Sequence, residues 1–292
     1  FSNDSRQTVD VDSFDKIINY NIENGVSGIV PCGTTGESPT LSHEEHERVI
    51  QLAVEISNGR VPVVAGTGSN STREAIDLTQ RAQRLSADAA LVVNPYYNKP
   101  TQEGLYKHFI AVADSVDIPV IVYNIKGRTG VNVETSTLLR IIEGAKKGNV
   151  LGVKEASGSE IQIRDVIQQT RGYDGFSVLS GDDNMTYDLI ENGGHGVISV
   201  ASNLVPREMV AMVNGVLSRD ESVASLLNKA LSGLFEAEFI ETNPIPIKYI
   251  MALEGRCQEV YRLPLCEMSE EHKREVRDKW ETVKERLAEL KY

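Results

Sequence analysis

Residues 150–157 read VLGVKEAS, and this stretch decides how the rest of the chain is interpreted. Val150, Leu151 and Val153 form an apolar run of the kind found in strands that are buried on both faces of a parallel sheet. Lys154 stands at the end of the run, where an ammonium group is costly unless it is paired or deprotonated. The stretch therefore predicts a buried parallel strand with a lysine of unusual chemistry at its carboxyl end.

Six similar runs lie on either side of this strand, and helical patterns separate them. The predicted strands are SGIVPCG (27–33), VPVVAGTG (61–68), AALVVNPYY (89–97), IPVIVYN (118–124), FSVLSGD (176–182) and HGVISVAS (195–202). The predicted helices cover 12–24, 42–57, 72–85, 101–116, 135–146, 160–170, 184–192 and 206–218. Ser42, with Glu45 three residues later, forms a capping box, and Thr72 precedes a periodic apolar run. This alternation predicts a parallel α/β fold.

A parallel α/β chain of this length forms either a (β/α)8 TIM barrel or a doubly wound sheet. We predict the barrel, because no glycine-rich dinucleotide fingerprint follows the first predicted strand. An eightfold barrel needs one further strand ahead of the first helix, so we expect the first barrel strand to be missing from this sequence. The predicted organisation is a catalytic barrel at 1–220 and a C-terminal helical region at 221–292, with helices at 221–239 and 268–291.

The composition disfavours several classes of protein. The chain has 292 residues and a formal net charge of −12, which disfavours nucleic acids and anionic membranes as partners. No apolar run approaches the roughly 18 residues that span a bilayer. The three cysteines, Cys32, Cys257 and Cys266, have no metal or redox spacing and fit a reducing compartment. We expect a cytoplasmic enzyme whose ligands are small molecules.

In a (β/α)8 barrel the active site lies at the carboxyl ends of the strands, and polar side chains collect at these ends. They are Thr34, Thr35, Tyr96, Tyr97, Tyr123, Lys154, Asp182 and Asp183. Apolar walls disfavour the ammonium form of Lys154, and a neutral amine attacks a carbonyl to give a Schiff base. The alternative is a structural lysine that pairs with Glu155 or with a distant carboxylate.

Other side chains near the strand ends suit chemistry at a carbonyl. GTTGES (33–38) places two threonine hydroxyls and backbone N–H groups near a helix start, which can cradle a carboxylate or phosphate, although a simple turn is the alternative. Tyr123 can relay protons at a carbinolamine or pack over the barrel rim. Arg128 can hold a carboxylate in a bidentate fork or remain a solvated charge.

We predict no metal site and no organic cofactor. His43 and His46 lie one helical turn apart but lack the carboxylate motif of zinc hydrolases, and His195 lies far along the chain. Asp182 and Asp183 have the chemistry to bind a metal, but a Schiff-base lysine makes a metal unnecessary.

Six motifs in order resemble those of the dihydrodipicolinate synthase family: GIVPCGTTGES, VVNPYYNKPTQEGLY, YN-x-x-GRTG, GVKEASG, SGDD and GHGVISV. The resemblance implies a (β/α)8 barrel with a C-terminal helical region, assembled as a homotetramer. It also implies a lyase of the pyruvate-dependent N-acetylneuraminate lyase superfamily. Such an enzyme condenses pyruvate with L-aspartate 4-semialdehyde to 4-hydroxy-tetrahydrodipicolinate, in lysine and diaminopimelate biosynthesis. No cofactor is implied, because the lysine is itself the electron sink.

The resemblance also gives the candidate residues their roles. Lys154 would form the Schiff base with pyruvate, and Tyr123 would donate and accept protons at that lysine. Thr34 would link Tyr123 to Tyr97, and Tyr97 would come from the neighbouring subunit.

Three further residues would bind the substrates according to the resemblance. Thr35 would hold the pyruvate carboxylate, the backbone carbonyl of Ile198 would help to place pyruvate, and Arg128 would receive the carboxylate of the semialdehyde. The chain departs from the family at Lys126, where proline is usual. Lys126 gives up the stiffness of proline and adds a cation near the expected semialdehyde carboxylate, which bears on the second substrate.

Many family members carry a lysine feedback site at the tight-dimer interface. The corresponding positions are Ser38, His43, His46, Asn70, Glu74 and Tyr96. His46 is the informative position, since members that are insensitive to lysine often lack a histidine there. We hypothesise that L-lysine inhibits this enzyme, and the alternative is a polar interface that binds no ligand.

Three alternative functions use the same fold. Another pyruvate-dependent aldolase, either an N-acetylneuraminate lyase or a 2-keto-3-deoxy sugar-acid aldolase, would share Lys154, but Arg128 and the pair Tyr96 and Tyr97 favour the synthase. A non-catalytic barrel that only binds a keto acid or lysine is disfavoured by the presence of Lys154, Tyr123 and Thr34. A phosphate-handling isomerase is disfavoured because no glycine-rich phosphate loop follows the last predicted strand.

Overall fold

The fold is built on a parallel sheet whose strands follow one another in chain order. The computed structural model describes residues 1–290. Within them the strands are β1 (Val64–Gly66), β2 (Ala89–Val93), β3 (Val120–Asn124), β4 (Val150–Glu155), β5 (Ser177–Ser180) and β6 (Gly196–Val197). Each strand pairs in parallel with the next. Because neighbours in the chain are also neighbours in the sheet, the topology is that of a TIM barrel rather than of a doubly wound sheet.

The segment ahead of β1 continues the sheet through a bridge rather than a full strand. Ile29 forms an isolated parallel bridge with Val63, and Val64 N donates to Ile29 O at 2.9 Å. The strand predicted at 27–33 is therefore present as a short pairing that reaches Pro31, whose carbonyl accepts from Gly66 N at 2.9 Å. Pro31 has no N–H to donate, which limits how far a regular ladder can extend here.

The sheet is open between Ile29 and β6, since no strand precedes Ile29 within residues 1–290. A cavity of about 1020 Å³ runs from the carboxyl ends of the strands to this opening. Apolar side chains of Ile29, Val197, Val213 and Leu217 line it along the opening.

Helices separate the strands and follow the sheet. They are α1 (Val11–Glu23), α2 (His43–Ser57), α3 (Thr72–Arg84), α4 (Gln102–Ala113), α5 (Lys126–Thr129), α6 (Thr135–Gly144), α7 (Glu160–Thr170), α8 (Thr186–Glu191), α9 (Pro206–Leu217), α10 (Glu221–Ala237), α11 (Ile245–Leu253) and α12 (Glu270–Glu289). The predicted capping box is confirmed, because Ser42 and Glu45 each bond the other's backbone N–H. At α3 the capping side chain is Ser71, one residue before the predicted Thr72.

The packing of the strands against the helices determines that the site side chains point into the barrel interior. Val122 of β3 and Val153 of β4 are fully or almost fully buried and pack with Phe109 of α4 in the main apolar cluster between sheet and helices. Consecutive residues of a strand point to opposite faces. Tyr123 and Lys154, the next residues along, therefore point into the barrel interior.

The C-terminal helices share a second apolar core with the last barrel helix. Leu227 of α10, Trp280 and Val283 of α12 and Met212 of α9 belong to one cluster of buried side chains. This packing ties the helical region to the barrel. The division predicted between 1–220 and 221–292 stays a prediction.

Helix α11 was not predicted from the sequence. The helices predicted at 221–239 and 268–291 leave the run TNPIPIKYIM, which contains Pro244 and Pro246, without a predicted element. In the structure Pro246 lies in the first turn of α11, where a missing N–H costs nothing because that donor has no partner inside the helix. The apolar residues that follow are buried, which drives the helix onto the barrel.

Candidate active site

The register of the sheet brings the predicted residues to one end of the barrel. Lys154 stands beside Tyr123 of β3 and Leu179 of β5, and Tyr123 stands beside Val93 of β2. All lie at or near the carboxyl ends of their strands, the end at which TIM-barrel active sites form.

Lys154 is buried and unpaired. The residue is 9% exposed, and its Nζ lies 4.4 Å from the centroid of the Tyr123 ring. No carboxylate among the described residues forms an ion pair with it. Burial lowers the pKa of Lys154 to about 8, with Asp183 acting against this change and Arg128 adding to it. The nucleophilic neutral amine is therefore accessible near neutral pH.

Glu155 does not pair with Lys154, so the structural alternative from the sequence is wrong on this point. Glu155 accepts hydrogen bonds from Ser157 N at 2.7 Å, Asn124 Nδ2 at 3.1 Å and Gln162 Nε2 at 3.4 Å. Burial raises the pKa of Glu155, and these hydrogen bonds oppose the change. Its carboxyl group is thus fully engaged on the other face of β4.

Gly181, just after β5, leaves room for the lysine side chain. A Cβ at this position would lie 2.7 Å from Ala156 Cβ and 3.0 Å from Lys154 Cε. Any larger residue would displace the stem that carries the amine. The SGDD motif thus has a packing reason for its glycine.

Tyr123 lies beside the amine and interacts with Thr34. Tyr123 is 6% exposed, and its ring centroid lies 4.4 Å from Lys154 Nζ. Burial raises the pKa of Tyr123, while the bond to Thr34 and the charge of Arg128 act in the other direction. The phenol is therefore protonated near neutral pH and can give a proton and take it back.

The C-terminal region reaches the site through Asn243, which the sequence analysis did not single out. Asn243 Nδ2 donates to Thr35 Oγ1 at 3.0 Å. The carbonyl of Asn243 accepts from Arg128 Nη2 at 3.0 Å, and Arg128 Nη1 lies 3.5 Å from Thr242 Oγ1. Asn243 thus fixes both side chains that were predicted to hold substrate carboxylates. Asn243 lies in the TNPIP run, which is visible in the sequence. Its contacts with Thr35 and Arg128 depend on tertiary packing, which the sequence does not show.

The loop of Arg128 is stiffened by a helical turn. Lys126, which stands where the family usually has proline, begins α5, and its carbonyl accepts from Gly130 N at 2.9 Å. Thr129 Oγ1 adds a hydrogen bond to Ile125 O at 2.9 Å. These bonds give the loop that carries Arg128 local hydrogen-bonded support.

Tyr97 is not brought to the other predicted catalytic residues within this chain. The residue is 89% exposed, and its φ of +72° lies in the left-handed region that non-glycine residues rarely adopt. The turn is held by Asn98, whose backbone N–H donates to Tyr96 O at 2.9 Å and whose side chain donates to Asn70 O at 2.8 Å.

Ile198 lies on the cavity wall, between the sheet and a turn anchored by Asp183. Ile198 N donates to Ser180 O at 2.9 Å. Asp183 Oδ2 accepts from Val200 N at 2.7 Å and Ala201 N at 2.9 Å. The backbone around Ile198 is therefore fixed from both sides.

The residues predicted to bind lysine form a polar cluster. Five of the six positions line the large cavity, and Asn70 is the exception. His43 Nε2 lies 3.1 Å from Glu74 Oε1. His46 is buried, and its Nε2 lies 2.9 Å from Gly66 O, which requires the ring proton to be on Nε2. Burial lowers the pKa of His46, and the bond to Gly66 opposes the change.

Within residues 1–290, no group of three or more His, Cys, Asp or Glu side chains is arranged to hold a metal ion. His195 is exposed, and its Nδ1 accepts from Val178 N at 3.1 Å. Asp182 Oδ1 caps the turn that follows β5 by accepting from Asn184 N at 3.0 Å. These side chains have local structural partners.

A parallel barrel with an unpaired buried lysine and a protonated tyrosine at its carboxyl end belongs to the class of Schiff-base-forming enzymes. The Dihydrodipicolinate synthetase family matches residues 2–283. The 4-hydroxy-tetrahydrodipicolinate synthase of Methanocaldococcus jannaschii is 51% identical over 266 residues, which cover 91% of this chain and 90% of that protein. The synthase of Syntrophus aciditrophicus is 52% identical over 262 residues, which cover 90% and 88%.

Solved structures give the same result. The 4-hydroxy-tetrahydrodipicolinate synthase of Methylacidiphilum fumariolicum SolV superposes with a TM-score of 0.95 at 42% identity, over 99% of this chain and 94% of that chain. The Acinetobacter baumannii enzyme complexed with pyruvate has a TM-score of 0.91 at 41% identity, over 96% and 94%. The Cyanidioschyzon merolae enzyme with lysine bound has a TM-score of 0.90 at 34% identity, over 97% and 95%. Another relative, with a TM-score of 0.93 at 39% identity, is described as a monomeric variant.

The chain belongs to the dihydrodipicolinate synthetase family. This result confirms the resemblance, the TIM-barrel fold and the lyase function that the sequence predicted. It supports the synthase and not the alternative of an N-acetylneuraminate lyase or a sugar-acid aldolase.

Proposed function

We propose that this chain condenses pyruvate with L-aspartate 4-semialdehyde through a Schiff base on Lys154. The observation that carries the proposal is the buried, unpaired amine of Lys154 beside Tyr123, in a family whose named members are 4-hydroxy-tetrahydrodipicolinate synthases. The site residues below are proposed on their geometry and on the resemblance.

The first half of the reaction forms an imine. The neutral amine of Lys154 attacks the keto carbon of pyruvate to give a carbinolamine. Tyr123 protonates the hydroxyl that leaves as water and afterwards recovers a proton. Thr34 shares a hydrogen bond with Tyr123 and so gives that proton a path.

The second half forms the ring. The imine acidifies the pyruvate methyl group, and loss of a methyl proton gives an enamine. The enamine carbon attacks the aldehyde carbon of the semialdehyde, whose oxygen becomes the product hydroxyl. The semialdehyde amine then attacks the imine carbon, closes the ring and releases Lys154. The balance is pyruvate plus semialdehyde giving 4-hydroxy-tetrahydrodipicolinate plus one water.

Two carboxylates need partners during this reaction. We assign the pyruvate carboxylate to Thr35, with the Ile198 carbonyl helping to place pyruvate, and the semialdehyde carboxylate to Arg128. The contacts of Asn243 with Thr35 and Arg128 support this assignment, because they hold the two side chains in fixed positions. Arg128 also favours the neutral amine, since its charge lowers the pKa of Lys154.

We assign Tyr97 to the active site of a neighbouring subunit in a homotetramer built as a dimer of dimers. Its 89% exposure supports this assignment, because a ring so exposed is free to enter another chain's site. Sedimentation analysis tests the assembly. A tetramer is expected, and a monomer with full activity would contradict the role of Tyr97.

We propose that L-lysine inhibits the enzyme at the cluster formed by Ser38, His43, His46, Asn70, Glu74 and Tyr96. A relative has been solved with lysine bound, and Glu74 offers a carboxylate to an amino group. Turnover is expected to fall in millimolar lysine and to recover in Glu74→Gln. Undiminished turnover of the wild type in saturating lysine would reject the proposal.

We propose a cytoplasmic location, with pyruvate, the semialdehyde and L-lysine as small-molecule partners. Within residues 1–290, no helix combines the length and the apolar character that a membrane crossing requires.

Trapping with borohydride tests the proposed chemistry. Wild-type protein is incubated with pyruvate, reduced and weighed, with Lys154→Ala as the matched control. An adduct of reduced pyruvate is expected on the wild type alone. An unmodified wild type would reject the imine, and turnover of sialic acid or 2-keto-3-deoxygluconate in preference to the semialdehyde would favour the other aldolases.

A further inference from the structure

Glu238 is a fully buried carboxyl group that the proposed mechanism does not use. It follows α10 directly and has 0% exposure. Neither of its oxygens receives a hydrogen bond from an N–H or alcohol donor among the described residues. Such a carboxyl group cannot be ionised without a large desolvation cost.

The group that faces Glu238 is Asp183, in the turn after β5. The turn at Asp183–Met185 packs against α10, and the carboxyl groups of Glu238 and Asp183 interact with each other. Asp183 Oδ2 already accepts from the backbone N–H groups of Val200 and Ala201, whereas Oδ1 has no such donor. One of the two unpaired Glu238 oxygens can share a hydrogen bond with Asp183 Oδ1 if one of the carboxyl groups carries a proton.

We place the shared proton on Glu238 rather than on Asp183. Two backbone N–H groups already donate to Asp183, whereas no donor among the described residues reaches Glu238. The charged groups that act on Glu238 are Asp183 and, more weakly, Asp182. Burial and the charge of Asp183 both raise the pKa of Glu238 well above its ordinary value. A protonated Glu238 therefore satisfies Asp183 Oδ1 and removes a second buried charge.

We propose that Glu238 is a positioning residue, which stays protonated and donates a hydrogen bond to Asp183. Asp183 in turn holds the backbone of the 198–201 segment through its two amide contacts. It is also the carboxylate whose charge acts on Lys154. Glu238 thus acts on pyruvate binding through Asp183, without touching the substrate. The kinetic part of this inference rests on the proposed function.

A spectroscopic measurement tests the proton on Glu238 without any substrate. Infrared difference spectra between wild type and Glu238→Gln are recorded at neutral pH in H₂O and ²H₂O. The expected result is a protonated-carboxyl C=O band that shifts in ²H₂O and is missing in Glu238→Gln. If the variant loses only carboxylate bands, the inference is overturned whether or not pyruvate forms an adduct.

Kinetics test the positioning role. Glu238→Gln keeps a neutral donor for Asp183, and Glu238→Leu keeps the volume but removes the donor. In Glu238→Leu the KM for pyruvate should rise about tenfold, the cost of one lost hydrogen bond to a buried carboxylate, while kcat changes less than about threefold. Glu238→Gln should restore KM to within about twofold of wild type.

Two outcomes would overturn the positioning role. One is a Glu238→Leu variant with wild-type KM for pyruvate, and the other is a Glu238→Gln variant as impaired as Glu238→Leu. If wild type forms no pyruvate adduct at all, the proposed function fails, and the infrared result still decides the protonation of Glu238.

Discussion

Two lysines of this molecule are almost equally inaccessible and are held in opposite ways. Lys154 in β4 is 9% exposed, and Lys273 in α12 is 8% exposed. Lys273 Nζ lies 3.0 Å from Glu259 Oε1 and 2.8 Å from Glu267 Oε2. Burial alone would lower the pKa of both lysines, because it disfavours the charged ammonium form. At Lys273 the bonds to the two carboxylates outweigh burial and raise the pKa, whereas the pKa of Lys154 falls to about 8.

We interpret this difference as the one between a structural lysine, Lys273, and the proposed reactive lysine, Lys154. Burial destabilises an ammonium group wherever it occurs, and partners decide whether the proton stays. Lys273 keeps its charge because it pairs with Glu259 and Glu267. These ion pairs link α12 to the segment before it. Lys154 has only a more distant carboxylate, Asp183, and an opposing cation, Arg128. Nucleophilicity at the barrel mouth is therefore obtained at a cost in stability.

The largest expected effect separates the two lysines by activity. Lys154→Ala should lower kcat by about 10⁴-fold or more, because no other amine replaces the Schiff base. Lys273→Ala should leave kcat within about threefold of wild type, since it removes only an ion-pair cluster distant from the chemistry. A coupled assay with pyruvate and the semialdehyde measures both. Comparable losses of kcat in the two variants would contradict the distinction between a reactive and a structural lysine.

Tyr123→Phe tests what the neighbour of Lys154 contributes. The ring stays against the amine, but the proton relay to Thr34 is lost, so kcat should fall about 10²- to 10³-fold. The pyruvate adduct should still form, more slowly, in stopped-flow trapping experiments. Wild-type turnover in the phenylalanine variant would show that another group moves the proton.

Two variants of Arg128 separate the effect of its charge on Lys154 from the effect of its bidentate contact with a carboxylate. In Arg128→Ala the pyruvate adduct should remain while kcat/KM for the semialdehyde falls about 10²-fold, since a bidentate carboxylate partner is lost. The pKa of Lys154 should rise, because Arg128 lowers it. Arg128→Lys is the control, which keeps the charge without the fork. It should keep the wild-type pH dependence of trapping and lose part of the semialdehyde affinity.

The smallest expected effects are changes in the free energy of unfolding. They should have opposite signs for substitutions at Lys154 and at Lys273. The folded pKa of Lys154 lies below its unfolded value, so the unfolded chain binds more protons between about pH 8 and 10.5, and the unfolding free energy should rise with pH there. Lys154→Met should therefore stabilise the protein by about 1–3 kcal/mol at pH 7. Lys273→Met should destabilise it by about 1–2 kcal/mol, because it leaves two partly exposed carboxylates unpaired.

Denaturant unfolding of the two methionine variants at matched pH measures these changes. Lys273→Arg is a charge-conserving control and should stay closer to wild type than Lys273→Met. Stability changes of the same sign in both methionine variants would contradict the view that partners, and not burial, separate the two lysines.

Much of the fold follows from local pattern, and the exceptions have physical causes. The helix predicted at 160–170 has the same bounds as α7, which Ser159 caps and whose buried positions are periodic. The strand predicted at 195–202 forms a ladder only over β6, because the chain then turns to meet Asp183. Sequence shows the apolar run, but it does not show which backbone groups a distant carboxylate will bind.

The site was predictable where residues lie on neighbouring strands. Lys154 and Tyr123 follow apolar runs, and parallel strands place their carboxyl ends together. Asn243 and Glu238 could not be found in this way, because helices far along the chain bring them to the barrel. The predicted role of Tyr97 needs a second chain and stays a prediction.

The pH dependence of pyruvate trapping, followed by peptide mapping, tests the central claim most directly. Wild-type protein is reduced with borohydride in pyruvate at closely spaced pH values, and the modified peptide is identified. We predict that the label lies on Lys154 and that its rate of formation is half-maximal near pH 8. A label on another residue, or a midpoint near the ordinary lysine value of 10.5, would contradict the account.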